Sequence, residues 1–352
     1  MHFSMRYGVA TVAVLGAALI GAGAVRQASD RPQQAPAAEQ HAAVPDIISP
    51  EPAPPPGVER VPETETAETQ PPSAQVRQSF GRAAGLHRTK DPLRLASSAA
   101  VAIDQDTGRV LVQKNEDAIL PIASLTKMMT ALIVAEGKQP LDQEITITEE
   151  DVDTERHSRS RLRVGTTLTR GEALHLALMS SENRAAHALG RSFPGGLPQF
   201  VNAMNNKAQS LGMKGSTFVD PTGLSTRNQS TARDLATLAM EASRHPLLRE
   251  YSTTPRHQVN FGKRRLQYLN SNRLVKDPQW DIVLQKTGYI VEAGQCVAMS
   301  TRMNGHNIVM VLLDATDKGS RSADAERIRN WVVSQGGSSA GTLAMGKGGA
   351  KS

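Results

Sequence analysis

Residues 295–315 read QCVAMSTRMNGHNIVMVLLDA. Two apolar runs flank Asn304-Gly305. Asn-Gly between two such runs is the strongest short hairpin signal, because both residues tolerate the positive φ that a type I′ turn demands. A hairpin joins antiparallel strands, so this stretch places an antiparallel sheet late in the chain. DIVLQKTGYI (281–290) is a third strand-like run just before it. Far upstream, SAAVAIDQDTGRVLVQKN (98–115) reads as two more strands joined by a Gln105-Asp106-Thr107-Gly108 turn. The spacing between these groups is helical. PIASLTKMMTAL (121–132) opens a helix near Ser124, with Gly137 as its stop. ITITEED (145–151) interrupts as a short extended piece. A second helix starts at Thr169-x-x-Glu172, a capping box, breaks at Ser180-Ser181 and resumes around Arg184 to Leu189. Residues 198–213 and 230–243 are further helices, the latter led by Thr231-x-x-Asp234, and residues 322–336 close as an amphipathic helix. Strands, inserted helices, returning strands and a last helix define an α+β fold. The expected architecture is one antiparallel sheet flanked by helices, with an all-helical lobe at roughly 123–255. A cleft between sheet and lobe is the natural site.

The ends differ in composition from this body. Arg6, an apolar run from Val9 to Ile20, and Ala22-Gly23-Ala24 read as a secretory signal peptide over residues 1–24. Retention as an uncleaved anchor is the alternative, but the run is short for a span. Residues 25–90 are rich in Pro, Ala, Gln and Glu and are expected to form a disordered tether. Residues 337–352 read as a flexible tail. Its Gly337-x-Ser339-x-Gly341 imitates a hydrolase motif but lacks the preceding strand and following helix. Residues 91–336 are the folded domain, long enough for a large core. The single cysteine, Cys296, permits no intramolecular disulfide and reads as a buried thiol. A net charge of +6 with 3% aromatic residues argues against nucleic acid as a partner and leaves loose association with an anionic wall or membrane surface open. The densest basic run, RHSRSRLR (156–163), reads as a solvated loop. No pair of histidines has metal-ligand spacing, and neither a metal nor a cofactor is called for. His175 and His187 are expected to be packed or surface residues.

Three short motifs carry chemistry. Ser124 and Lys127 are i,i+3 neighbours on the first turn of an apolar helix. A lysine beside that stripe is partly desolvated, which favours the neutral amine and supplies the base that a serine nucleophile needs. Taken alone, the pair also fits a serine N-cap followed by a solvated lysine. Ser181 and Asn183 stand at a helix break, where both side chains can point the same way, and where capping residues are also ordinary. Lys286-Thr287-Gly288 ends a strand with a positive charge, a hydroxyl suited to a carboxylate, and a glycine that permits close approach.

In this order and these contexts, the three motifs resemble those of the penicillin-recognising serine enzymes, the β-lactamase/transpeptidase-like group. DQDTGRVLVQKN, PIASLTKMMTAL, LMSSENRAAHALG, PTGLS and KTGYIVEAGQCVAM look more closely like the low-molecular-mass D-alanyl-D-alanine peptidases, over about Ala99 to Gln335. SSENRAA is more like their endopeptidase branch than their carboxypeptidases. The resemblance implies an acylated Ser124, a proton-accepting Lys127, and a Ser181 that relays a proton to the leaving amine. It implies Asn183 on the substrate backbone and Lys286 with Thr287 on the terminal carboxylate. The backbone N–H groups of Ser124 and of Tyr289, after Gly288, would form the oxyanion hole, and Arg321, just before the last helix, would assist carboxylate binding. Peptidoglycan stem peptides and their cross-links would be the substrates, β-lactams the inhibitors, and the periplasm the compartment. The alternatives are carboxypeptidase action, a β-lactamase, for which no Glu-x-x-x-Asn segment supplies the deacylating base, or a non-catalytic β-lactam-sensing wall-binding module.

Overall fold

The computed structural model describes residues 78–261 and 264–335. The signal peptide, the tether up to residue 77 and the tail lie outside the described residues. Strands β1 (Ala99–Asp104), β2 (Val110–Lys114), β9 (Asp281–Ile290), β10 (Gly294–Met303) and β11 (His306–Ala315) form one antiparallel sheet in the order β2-β1-β11-β10-β9. The two strand groups therefore complete one sheet, as expected. The β10–β11 turn has φ of 48° at Asn304 and 82° at Gly305, so the Asn-Gly signal is realised.

Both faces of this sheet are covered. Ala99, Val101 and Ile103 of β1 pack into the main core with the inserted helices, whereas Ala100 and Ala102 pack with Ala325 and Ile328 of the last helix, α8 (Lys318–Gln335). Two buried faces explain why the strands read as unbroken apolar runs rather than as alternating ones. Asp324 of α8 fastens that helix to the sheet by accepting bonds from Ala96 N at 2.9 Å and from Ser97 N and Oγ at 2.7 Å.

The insertion contains α2 (Thr126–Glu136), α3 (Arg170–Met179), α4 (Asn183–Arg191), α5 (Gly196–Ser210), α6 (Ala232–Ala242) and α7 (Pro246–Thr253). Short pairs β3 (Leu120–Pro121) with β6 (Gln229–Ser230) and β4 (Glu144–Thr146) with β5 (Thr167–Thr169) brace it. Helix α3 starts at the expected capping box, with Thr169 Oγ1 accepting from Glu172 N and Glu172 Oε2 from Thr169 N. A hairpin of β7 (Arg256–Phe261) and β8 (Arg264–Leu269) has no counterpart in the sequence reading. Its solvent face is polar and arginine-rich, and only Val259 and Tyr268 are deeply buried, which leaves too few apolar residues for a visible period.

Two boundaries are corrected. Residues 78–90, assigned to the tether, are folded: α1 (Phe80–Ala83) and the turn Leu86–Arg88 pack on the body. Ser79 and Gly81 are buried, Phe80 N donates to Glu292 O at 2.9 Å, and Asn115 Nδ2 donates to Leu86 O at 2.9 Å. Burial of a few small residues and these two hydrogen bonds needs no apolar periodicity, so composition did not reveal it. The last helix begins at Lys318, not after Arg321, because Asp317 accepts a bond from Ser320 N at 2.8 Å and so caps an earlier start.

Candidate active site

Ser124 sits in a 3-10 turn, Ala123–Leu125, that leads into α2. Ala123 holds φ of 48°, a conformation a non-glycine residue adopts only when its surroundings impose it. Gly223 is part of that surrounding. It has φ of 82°, and a Cβ there would collide with the carbonyl of Ala123. Asp220 shapes the Gly223 turn by accepting from Thr222 N at 2.6 Å and Gly223 N at 2.8 Å.

Lys127 lies one turn beyond Ser124 and is fully buried. Residues Thr126 to Val134 of α2 are all buried, so this lysine cannot extend its amine to water. Nζ instead meets Ser124 Oγ at 2.9 Å, Asn183 Oδ1 at 2.7 Å and the Thr222 carbonyl at 2.7 Å. Burial pulls its pKa from 10.5 down to about 7, against the opposing pull of Asp220 and Glu182. The expectation of partial desolvation is thus exceeded.

Helix α3 stops at Met179, and Ser181 follows with φ of 64°. That left-handed residue turns the chain so that Ser181 lines the cleft and Asn183 opens α4 against Lys127. Asn183 Nδ2 donates to Ser158 Oγ at 2.9 Å. Strand β9 supplies the opposite wall. Gly288 packs against the Ser124 turn so closely that a Cβ would stand 3.0 Å from Ile122 O and 3.2 Å from Ser124 N. Thr287 and the 55%-exposed Tyr289 line the cleft beside it. Thr287 Oγ1 donates to Ser271 Oγ at 2.7 Å. Arg321 lines the far end, and its Nη1 reaches Cys296 O at 3.2 Å and Gln295 Oε1 at 3.3 Å. Burial lowers its pKa.

The cleft enclosed by these walls has a volume of about 520 Å³. It gathers Ser124, Ser181, Asn183, Thr287, Gly288, Tyr289 and Arg321. Lys286, like Lys127, is not on its surface. It is fully buried, and Nζ donates to the Thr287 carbonyl at 2.7 Å. Burial, then Lys127 and Arg321, push its pKa well below the usual lysine range.

Several cleft residues escaped the sequence reading. Ser158 and Arg156 come from the basic run read as solvent-facing. Instead Ser158 holds Asn183, while Arg156 donates to the Leu224 carbonyl and pairs with Glu292 at 3.0 Å. Ser271, Gln295 and Lys318 also line the site. Only the Asp-Pro-Thr-Gly pattern at residues 220–223 carried a usable signal, as a turn. Cys296 is buried away from solvent, and burial pushes its thiol up to about 12. His175 stacks on Tyr251 at 4.3 Å and is held neutral, near pKa 4, by burial and by His257. Among the described residues, the groups with metal-ligand geometry are Asp104, Asp106 and His306, and Glu136, Glu241 and His245. Neither shares a residue with the cleft.

Comparison with known proteins agrees with this geometry. A family model described as D-alanyl-D-alanine carboxypeptidase matches residues 86–317. A D-alanyl-D-alanine endopeptidase of Pseudomonas aeruginosa is 47% identical over 240 residues, covering 68% of this chain and 77% of the relative. One of Escherichia coli is 39% identical over 257 residues, covering 72% and 83%. The crystal structure of the Streptomyces K15 DD-transpeptidase superposes with a TM-score of 0.64 at 27% identity, covering 69% of this chain and 98% of that one. A chain that carries these motifs in one cleft, and matches that family over most of its folded part, belongs to the D-alanyl-D-alanine carboxypeptidase family of low-molecular-mass penicillin-binding proteins.

Proposed function

We propose that this protein is a serine DD-peptidase that cleaves D-alanyl bonds of peptidoglycan, acting as an endopeptidase on D-alanyl cross-links through an acyl-enzyme on Ser124. The observation that carries it is Lys127, a buried lysine with pKa near 7 in contact with Ser124 Oγ at 2.9 Å. Ser124 Oγ attacks the D-alanyl carbonyl carbon and its proton passes to Lys127 Nζ. The N–H groups of Ser124 and Tyr289 receive the oxyanion, a donor of this kind being worth ~2.7–4 kcal/mol. Ser181 relays the proton held by Lys127 to the departing amine as the C–N bond breaks, so that Lys127 and Ser181 both end the step neutral. Water then attacks the ester and regenerates Ser124. Asn183 aligns the substrate backbone.

Thr287 and Arg321 take the carboxylate, and Lys286 Nζ, bonded to the Thr287 carbonyl, steadies that stretch of β9 beneath them. The exported character of residues 1–24 supports a periplasmic site of action. The endopeptidase names of the relatives above 45% and near 40% identity support the branch. Peptide mapping after benzylpenicillin tests the nucleophile: an adduct on Ser124, absent in Ser124→Ala, is expected, and labelling of another serine overturns it. Digestion of purified peptidoglycan tests the reaction. Conversion of dimeric to monomeric muropeptides means endopeptidase, and loss of one alanine from pentapeptides means carboxypeptidase.

A further inference from the structure

The basic run at residues 156–163 is only partly absorbed by the cleft. Its later arginines turn to the outer side of the Ser180–Asn183 corner. Arg161 lies over the Tyr268 ring at 3.9 Å and donates from Nη1 to the Gln267 carbonyl at 2.7 Å. This fixes the loop against β8. Arg184 of α4 fixes it from the other side, with Nη1 on the Leu162 carbonyl at 2.8 Å. Between loop, corner and hairpin is a second hollow of about 340 Å³, lined by Arg159, Arg161, Ser180, Glu182 and Gln267. Arg264 stands near Tyr268 on the same face of β8, and Arg163 is exposed on the loop.

Among the described residues, Arg159, Arg161, Arg163 and Arg264 form no ion pair, whereas Arg191, Arg233, Arg244 and Arg327 each pair with a carboxylate. The one acid of the hollow, Glu182, is buried and accepts from Arg184 N at the start of α4. Four arginines outnumber this one buried acid, so the surface carries a net positive field. Guanidinium groups match carboxylates through paired N–H donors. The hollow also shares its wall with the catalytic cleft: Ser180 and Glu182 line it, and Ser181 and Asn183 line the cleft. A peptide leaving the cleft over this corner meets the arginines next.

We propose that this arginine-lined hollow is a subsite for an acidic peptide, namely the carboxylate-bearing second stem of a cross-linked substrate. The inference rests on the endopeptidase reading above. A substrate ending at its terminal D-alanine has no second peptide to place there, so the hollow separates cross-link cleavage from carboxypeptidase action.

The test uses the full chain and its Arg159→Gln/Arg264→Gln variant. Neither arginine makes a side-chain hydrogen bond within the described protein, and an unchanged Tm confirms intact folding. A purified cross-linked muropeptide dimer and a small D-alanyl-D-alanine peptide are the substrates. Loss of two charge-assisted contacts is expected to lower kcat/KM on the dimer about tenfold or more, mainly through KM. The small peptide and the rate of penicillin acylation should be unaffected. Added salt should weaken dimer turnover by the wild type more than by the variant. The Arg159→Lys/Arg264→Lys variant should regain part of the loss. Equal effects on both substrates, or none on the dimer, overturn the subsite. Loss of binding to anionic lipid vesicles with dimer turnover unchanged assigns the surface to a membrane and also overturns it. If the wild type does not cleave the dimer, the endopeptidase reading fails, and dimer affinity measured on Ser124→Ala with and without the two arginines decides the subsite: equal Kd values refute it.

Discussion

Lys127 Nζ donates to Asn183 Oδ1 at 2.7 Å, and this contact fixes which way the Ser124 proton moves. A neutral amine has two N–H donors and one lone pair. The Thr222 carbonyl and Asn183 Oδ1 can only accept, and they take both donors. The lone pair is left for the third neighbour, Ser124 Oγ, whose hydroxyl is the one partner able to donate. Asn183 cannot turn its amide nitrogen to Lys127, because Ser158 gives its hydroxyl proton to the Asp153 carboxylate and its Oγ can then only accept from Asn183 Nδ2.

The rate of acylation by benzylpenicillin should therefore rise with pH, with a midpoint near the Lys127 pKa of about 7. Below it the ammonium has no lone pair, and above it the amine is free to accept. Glu182 holds this pKa up, so Glu182→Gln should move the midpoint to lower pH. Stopped-flow acylation across neutrality checks both, and a flat profile would exclude Lys127 as the base.

Asn183→Ala should slow acylation roughly tenfold, the effect of one lost buried hydrogen bond of ~1–2 kcal/mol. Asn183→Asp should be worse by about another order of magnitude, because a carboxylate keeps Lys127 protonated. The second variant's profile should shift to higher pH. Equal rates for the two would show that Asn183 acts on substrate alone.

Gly223→Ala should damage the site from a distance. The left-handed backbone costs an alanine ~1–2 kcal/mol. The added methyl also meets the Ala123 carbonyl, next to the nucleophile. Tm should fall by about 5 °C or more, and penicillin labelling should slow. A variant with wild-type Tm and labelling would mean that the Ser124 turn does not depend on this contact.

Truncation should separate the folded part of residues 25–90 from the rest. A chain beginning at Gln78 keeps the Phe80 N–Glu292 O and Asn115–Leu86 bonds, and its Tm should match that of the mature protein. One beginning at Asp91 loses both, at a cost of about 2–3 kcal/mol. Calorimetry on the two truncated chains decides it; equal Tm values would return residues 78–90 to the tether.

The sequence by itself determined the β1–β2 and β10–β11 hairpins, the helix starts at Thr169 and Thr231, and the order of the three motifs. Each is a local signal: a turn dipeptide, a capping pair or a period read over a few residues. It also placed Ser124 beside Lys127, because three residues of helix put them on one face. Only the tertiary structure decided what Lys127 is. Its burial depends on helices packed around α2, and its two fixed acceptors come from residues 183 and 222, distant in the chain. The same holds for Lys286, whose amine is buried against the Thr287 carbonyl. Ser158 and the arginines beyond it look like an exposed loop in one dimension, and become a wall and a hollow only where Arg161 meets Tyr268. Periodicity reports which face of an element is apolar; it carries no record of which distant backbone carbonyl or side chain will meet that face, and a lysine's proton affinity is set by those partners.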